Sequence, residues 1–223
     1  MPEPTSMILL GGGLMGMLFR FTKKCFEQTK RLFDIILSIL FILILTPLCV
    51  FLAILVKVSS PGPIIFSQIR VGKGGRLFTM YKFRSMRFDA EKHTGPVWAK
   101  TNDPRVTKLG NFMRKTHLDE IPQFINVIKG DMSIIGPRPE RPHFVNQLKN
   151  ELPEYQKRLT VRPGITGLAQ VKHRYDESID DVKHKLHYDL EYIKSLQEKS
   201  WINEFKIMFG TLILMITGKN KFI

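Results

Sequence analysis

The chain has 223 residues, with 34 Lys and Arg against 20 Asp and Glu, and a formal net charge of +14. That balance implies anionic partners: nucleic acid, phosphorylated small molecules or an acidic membrane face. With 43% hydrophobic residues, an intrinsically disordered chain is excluded, and the length allows one domain, or one domain plus a membrane element.

The N-terminus, "MPEPTS", carries an acid and no basic n-region, so no signal peptide is read there. Residues 7–21, "MILLGGGLMGMLFRF", are apolar but short and rich in glycine. They predict an interfacial or loosely ordered lead-in, over residues 1–22, and not a membrane span. The two cysteines, Cys25 and Cys49, lie in or beside an apolar segment without metal-ligand spacing. They point to a reducing compartment and no structural disulfide.

Residues 32–56, "LFDIILSILFILILTPLCVFLAILV", hold one charge, Asp34. At about 1.5 Å per residue a helix of this length can cross a hydrocarbon core of roughly 30 Å. Pro47 lies near its middle, where it removes a helix hydrogen bond and favours a kink, and Thr46 can satisfy the freed backbone. Both flanks are basic: Lys23, Lys24, Lys30 and Arg31 before, Lys57, Arg70 and Lys73 after. Basic flanks stay cytoplasmic. A re-entrant segment over 23–58, bent at Thr46 and Pro47, satisfies these features; a plain spanning helix is the alternative they leave open.

A domain over 59–223 follows. "IIFSQIRVG" and "RLFTMYKFRSM", separated by "KGG", predict a β-hairpin. From Arg70 to Lys115 there are twelve Lys or Arg and three acids, which reads as a solvated face or a membrane-surface patch. In "THLDEIPQFINVIKG" (116–130), Ile121, Phe124, Ile125 and Ile128 have amphipathic helical spacing. Pro122 suits a first turn, and Gly130 suits the position past the end. "SIIGPRPERP" reads as a short strand entering a rigid extended loop. "ELPEYQKRL" and "SIDDVKHKLHYDLEYIKSLQ" read as helices, with loop and short strand between them. The apolar residues of "WINEFKIMFGTLILMITGKNKF" fit an amphipathic helix whose apolar face meets either a membrane interface or the core.

The adjacent acids Asp119 and Glu120 admit two readings. Acids in a first helical turn suit the macrodipole, and Thr116 with Asp119 resembles a capping box. The surroundings suggest chemistry instead. Arg114 precedes the pair. Arg138 is restrained between prolines. Lys82 and Arg84 are two apart, hence on one face of a strand, and Arg162 and Arg174 follow in "VRPG" and "HRY". A carboxylate can attack phosphorus and hold the phosphoryl group covalently, while arginines and a divalent cation spread the transition-state charge. Mg²⁺ takes one or two carboxylates plus phosphate oxygens, which suits an Asp-Glu pair. Neither a Walker loop nor a dinucleotide fingerprint is present. His184 and His187 lack an obvious third ligand and read as surface or core histidines.

These motifs together resemble the bacterial sugar transferases, the monotopic phosphoglycosyl transferases. The resemblance rests on "KRLFDIILSILFILILTPL", "SSPGPIIFSQIRVG", "MYKFRSM", "RKTHLDEIPQFINVIKGDMSIIGPRPERP", "VRPGITGLAQV" and "DLEYIKS", covering roughly residues 28–210. It implies a small helix-rich α/β (α+β) domain on a re-entrant membrane helix-hairpin, with amphipathic interfacial helices. The implied reaction moves a sugar 1-phosphate from a UDP-sugar to polyprenyl (undecaprenyl) phosphate and releases UMP, as the first step of surface glycan assembly. Asp119 would be the nucleophile, with Mg²⁺ near it, and Glu120 would assist. Arg114, Arg138, Arg174 and Lys82 would contact phosphate or nucleotide. Thr46-Pro47 stands where some members have Ser-Pro. "HRYDES" departs from the "NGR" of some members, which leaves the alignment of Arg174 open. Many relatives carry an additional N-terminal half, so this sequence is either a compact member or part of a longer chain. The implied partners are UDP-sugar, polyprenyl phosphate and the bilayer, not nucleic acid, at the cytoplasmic face of a bacterial inner membrane. Glucose and galactose are the sugars expected, and a homo-oligomer is compatible.

Two other classes fit parts of the sequence. One is a membrane-tethered basic protein that binds anionic lipid or nucleic acid without catalysis, with the two acids as helix caps. The other is a bitopic scaffold or signalling protein with one true span.

Overall fold

A computed structural model describes residues 4–90, 92, 95, 103–172 and 179–217, with backbone alone for 4–23, 179 and 216. Helices dominate, and the described strands form two two-stranded sheets, so the α+β, helix-rich expectation holds.

Helix α1 runs from Pro4 to Ser59. Residues 7–21 are therefore helical and continuous with the apolar segment that follows. The helix also passes through Thr46 and Pro47 without interruption. Pro47 removes the bond to the Leu43 carbonyl and its ring crowds that group, and beside it Thr46 Oγ1 donates to the Ile42 carbonyl at 2.6 Å. Within α1, Lys24–Ser59 is long and apolar enough to cross a membrane.

The packing of α1 is more informative than its length. Its earlier part meets the globular domain through Phe26 and Phe33 against Trp201, at ring-centroid distances of 5.3 and 5.7 Å, and Phe41 against Phe124 at 5.2 Å. Its later part joins a core cluster in which Leu52 and Val56 pack with Phe83, Met113 and Ile121. No residue between Ser38 and Leu52 is buried, and Leu43 and Ile44 are 68% and 62% exposed.

The expected hairpin is present. Strand β1 (Ile65–Val71) pairs antiparallel with β2 (Leu77–Phe83), Ile65 opposite Phe83 and Val71 opposite Leu77. Gly74 and Gly75 take φ of 68° and 80° in the connecting turn, a region that residues with a Cβ seldom adopt. Helix α2 (Lys108–Lys115) is capped by Thr107, whose hydroxyl accepts from the Gly110 N–H at 2.9 Å, as expected of an N-cap threonine.

After a 3₁₀ turn at Leu118–Glu120 comes α3 (Gln123–Lys129). Its apolar stripe is split: Ile121 is buried and Phe124 packs against Phe41, while Ile125 is 45% exposed and Ile128 is also exposed; Gln123, Asn126 and Val127 are buried. Asn126 explains why a polar residue lies inside. Its amide donates to the Thr79 carbonyl at 2.7 Å and accepts from the Tyr81 N–H at 3.1 Å, fastening α3 to β2.

Strand β3 (Ser133–Ile135) pairs parallel with β4 (Gly164–Thr166). Here the chains approach too closely for side chains: a Cβ on Gly164 would lie 2.1 Å from the Gly136 nitrogen. Helix α4 (Pro142–Glu151) and a 3₁₀ helix (Pro153–Thr160) follow β3; the short α5 (Leu168–Lys172), which sequence patterning did not identify, follows β4. Helix α6 (Ile179–Gln197) contributes Tyr192 and Ile193 to the main core. Helix α7 (Trp201–Thr217) packs one face on the core. Glu204, Ile207, Gly210 and Leu214 are buried, while Ile202, Phe205, Phe209 and Leu212 remain exposed.

Candidate active site

The two acids do not cap a helix. Thr116 ends α2, and its hydroxyl donates back to the Phe112 and Met113 carbonyls, so it forms no capping box with Asp119. His117 then takes a left-handed backbone, φ 57° and ψ 16°. This is the position after a helix C-cap where the chain commonly reverses. The reversal starts the 3₁₀ turn that carries Asp119 and Glu120 inward, leaving them 5% and 6% exposed.

Glu120 is fully engaged. Its Oε1 accepts from Lys82 Nζ at 2.8 Å and from Arg138 at 2.7 Å, and the His117 imidazole lies 3.9 Å from its Oε2. Burial by itself would raise its proton affinity, but Arg138 and Lys82 outweigh burial and hold the carboxyl well below the usual carboxylate range. Glu120 is therefore a fixed anion that gathers two cations. Arg138 is raised in turn, chiefly by Glu120. Lys82 is lowered by its own burial despite that partner, so Arg138 is the firmer counter-ion of the two.

Asp119 differs from its neighbour. Among the described residues its carboxylate makes no hydrogen bond and no ion pair within 4.0 Å. Burial raises its proton affinity, Lys82 opposes that, and the charge on Glu120 adds to it. Arg114 stands close enough to feel Asp119 electrostatically, its Nε donating to Ser85 Oγ at 3.0 Å. The result is an unengaged carboxylate beside three cationic side chains.

Lys82, Arg114 and Arg138 are thus brought together around the acids. Arg84 and Arg162 are not. Strand β2 ends at Phe83, so side-chain alternation no longer places Arg84 with Lys82. Its guanidinium, on a residue 5% exposed, donates to the carbonyls of Val56 (3.2 Å), Ser60 (2.6 Å) and Pro63 and to Ser60 Oγ. It closes the C-terminus of α1, whose last carbonyls lack helical partners and attract positive charge. Arg162 donates to the Gly130 carbonyl at 3.0 Å, and Arg31 to those of Val127 and Ile128 at 2.6 and 3.0 Å. Those two arginines serve the C-terminal end of α3. Arg174 lies outside the described residues. Thr46 and Pro47 are exposed on α1, away from the acids.

Sequence reasoning missed His117 and Ser85. The signal for His117 was its place immediately after a helix that ends in Arg114-Lys115, since histidine is one of the few non-glycine residues enriched in left-handed conformation. Nothing in the sequence marks Ser85. Asp103, held low at about 2 by its hydrogen bond from Arg105, is a further charge felt by Arg114.

The donor set fits Mg²⁺ only as an ion shared with substrate. Among the described residues no group of three or more His, Cys, Asp and Glu side chains could cage a metal. Glu120 is committed to its cations, and Asp119 offers one open carboxylate. Mg²⁺ is commonly held by one carboxylate, waters and substrate phosphate oxygens.

Residues 25–218 match the bacterial sugar transferase family, and a shorter match to a PEP-CTERM protein-sorting motif covers residues 2–24. A UDP-N-acetylgalactosamine-undecaprenyl-phosphate N-acetylgalactosaminephosphotransferase of Aeromonas hydrophila is 47% identical over 189 residues, 85% of this chain and 44% of the relative. A UDP-glucose:undecaprenyl-phosphate glucose-1-phosphate transferase of Escherichia coli is 43% identical over 192 residues, 85% of this chain and 40% of the relative. An exopolysaccharide production protein of Rhizobium leguminosarum is 39% identical over 196 residues, 84% of this chain and 95% of the relative. The chain thus spans less than half of the first two relatives and nearly all of the third. With the match extending from α1 to the end of α7, the chain belongs to the bacterial sugar transferase family.

Proposed function

We propose that the protein is a phosphoglycosyl transferase that moves a sugar 1-phosphate from a UDP-sugar to undecaprenyl phosphate. The observation that carries this reading is the contrast within the acid pair, with Glu120 pinned by two cations and Asp119 unengaged beside them. An Asp119 carboxylate oxygen attacks the phosphorus that bears the sugar. The bond from that phosphorus to the bridging oxygen breaks, and UMP leaves with the electron pair. A phosphate oxygen of the lipid acceptor then attacks the same phosphorus and displaces Asp119 as a carboxylate. One phosphoanhydride replaces another, so no ATP is needed.

Glu120 is too firmly ionised to serve as a base. It fixes Lys82 and Arg138 where charge develops on the transferred phosphoryl group, and Arg114 adds to them. Asp119 and substrate phosphate oxygens would hold Mg²⁺, which supplies further neutralising charge. Two anionic substrates use one basic site in turn, not together.

The acceptor phosphate lies at headgroup level, which calls for a site at the membrane surface. Exposed Ile125 and Ile128 lie on the helix after the acids, and α7 presents Phe205 and Phe209, suitable for an interface. A re-entrant α1 on the cytoplasmic side is favoured over a span. Phe26 to Phe41 and Leu52 to Val56 both pack on one globular domain, with Leu45, Leu48 and Cys49 between them packed against it in part while Leu43, Ile44, Thr46 and Pro47 are exposed.

The test is intact-protein mass spectrometry of the detergent-purified chain with Mg²⁺ and UDP-sugars, including N-acetylgalactosamine, glucose and galactose donors, beside Asp119→Asn. The expected result is a gain of one sugar phosphate with at least one donor, in the unmutated protein alone. Absence of both the adduct and acceptor-dependent UMP release with every donor would overturn the reading.

A further inference from the structure

A second buried polar cluster lies away from the acids, where α1, β3, α6 and α7 meet. Asp34, the charge inside the apolar run of α1, is buried. Its Oδ2 accepts from Ser133 Oγ at 2.7 Å and its Oδ1 from the Ile134 N–H at 3.3 Å. Lys30 Nζ donates to Glu204 Oε2 at 2.6 Å. The Tyr192 hydroxyl lies 2.9 Å from Glu204 Oε1 and 2.8 Å from the Ile135 carbonyl. Every residue of β3 is thus gripped from its flank, and the first two are gripped by the membrane helix.

Strand β3 leads into Gly136-Pro137-Arg138-Pro139, and that run is clamped at successive positions. The Gly136 N–H donates to the Thr166 carbonyl at 2.8 Å, and the Gly164 N–H to the Pro137 carbonyl at 2.9 Å. Arg158 donates to the Arg138 carbonyl at 3.0 Å, and Arg70 to that of Pro139 at 3.0 Å. Prolines on both sides of Arg138 fix φ. A displacement at Ile134 therefore has little backbone freedom in which to dissipate before it reaches Arg138, the side chain that holds Glu120 at 2.7 Å.

We propose that Asp34 is a positioning residue for phosphoryl transfer: from within the membrane helix it sets the register of β3, and through the rigid run to Arg138 it places the cation that serves the acid pair. This rests on the transferase reading above. Misplacing a charge-stabilising group by about 1 Å costs on the order of 100-fold in rate, so the effect is measurable although Asp34 touches no substrate.

The experiment is a double-mutant cycle on kcat/KM for Asp119-dependent UMP release, with the full chain in nanodiscs. Asp34→Ala is expected to lower kcat/KM about 10- to 100-fold, and Asp34→Asn, which can still accept the Ile134 N–H, to recover most of the loss. In an Arg138→Ala background the same Asp34→Ala change is expected to alter kcat/KM less than about 2-fold, because residues acting through one another are non-additive. Phe26→Ala, which loosens α1 against Trp201 without touching β3, should lower the melting temperature but leave kcat/KM within about 2-fold. An additive cycle, or an equal loss from Phe26→Ala, overturns the inference and leaves the transferase reading standing. No Asp119-dependent UMP release in the unmutated chain with any donor overturns both. If Asp34→Ala does not fold, Ser133→Ala, which removes one of the two hydrogen bonds, is carried through the same cycle and judged by the same outcomes.

Discussion

Two of the buried mixed-charge clusters among the described residues are built on different rules. In the cluster around Lys30, Asp34, Tyr192 and Glu204, the oxygens of both carboxylates have hydrogen-bonding partners. In the cluster around Lys82, Arg114, Arg138, Asp119 and Glu120, one acid is over-supplied with cations and the other makes no hydrogen bond among the described residues. A satisfied buried cluster specifies structure; a buried polar group without a partner carries a free-energy cost that chemistry can use. On the transferase reading, the difference separates a structural cluster from the proposed reaction centre, although the two have similar composition and burial.

The comparison breaks most sharply at Asp119. Asp119→Asn is expected to lower turnover by at least about 10³-fold, as removal of a nucleophile does, and to abolish the covalent adduct. Glu204→Gln in the other cluster should change turnover only a few-fold while lowering the melting temperature. Glu120→Gln comes next. It leaves Lys82 and Arg138 without their anion, so turnover should fall about 10²-fold, with a stability loss of about 3–5 kcal/mol from the unpaired buried cations. Both are read from UMP release and thermal unfolding of the same sample. Arg84→Ala tests the arginine that neither cluster contains: stability should fall by about 2–3 kcal/mol through lost bonds to backbone carbonyls, and kcat/KM of the folded fraction should hold.

The smallest effect is a shift in pH dependence. Asp119 must be ionised to attack, and burial raises its pKa above the ordinary 3.8. A raised pKa keeps the proton to higher pH, so activity should rise with pH through a limb lying above the ordinary aspartate range. Glu120, depressed below its ordinary value, remains charged throughout that limb. A pH profile of kcat/KM whose acid limb lies at or below 3.8 would remove burial as the dominant influence on the nucleophile.

The sequence made local features legible and long-range ones not. The β1–β2 turn was marked by its glycines, and the acid pair by its cationic surroundings. The burial of Asn126 on α3 could not be read, because it depends on Asn126 reaching two backbone groups of β2. The sorting of the arginines was equally hidden. Arg84, Arg162 and Arg138 look alike as basic residues near motifs. Which of them meets a carboxylate depends on where helices α1 and α3 end in space, since each free helix terminus draws a guanidinium. Within the basic region read as surface charge, Lys82, Arg84 and Arg114 thus serve the interior, while Lys73, Arg76, Arg87, Lys92, Lys108 and Lys115 are exposed.

The packing of α1 also has a consequence for cutting or grafting the chain. Leu52 and Val56 wall one core, the Val56 carbonyl receives Arg84, and Asp34 holds β3. Deleting everything up to Ser59 would not release a soluble enzyme. It would strip a wall from the fold, leaving Phe83, Met113 and Ile121 to water. A foreign helix spliced on in place of α1 would have to bring the matching face with it, Leu52, Val56 and Asp34 included.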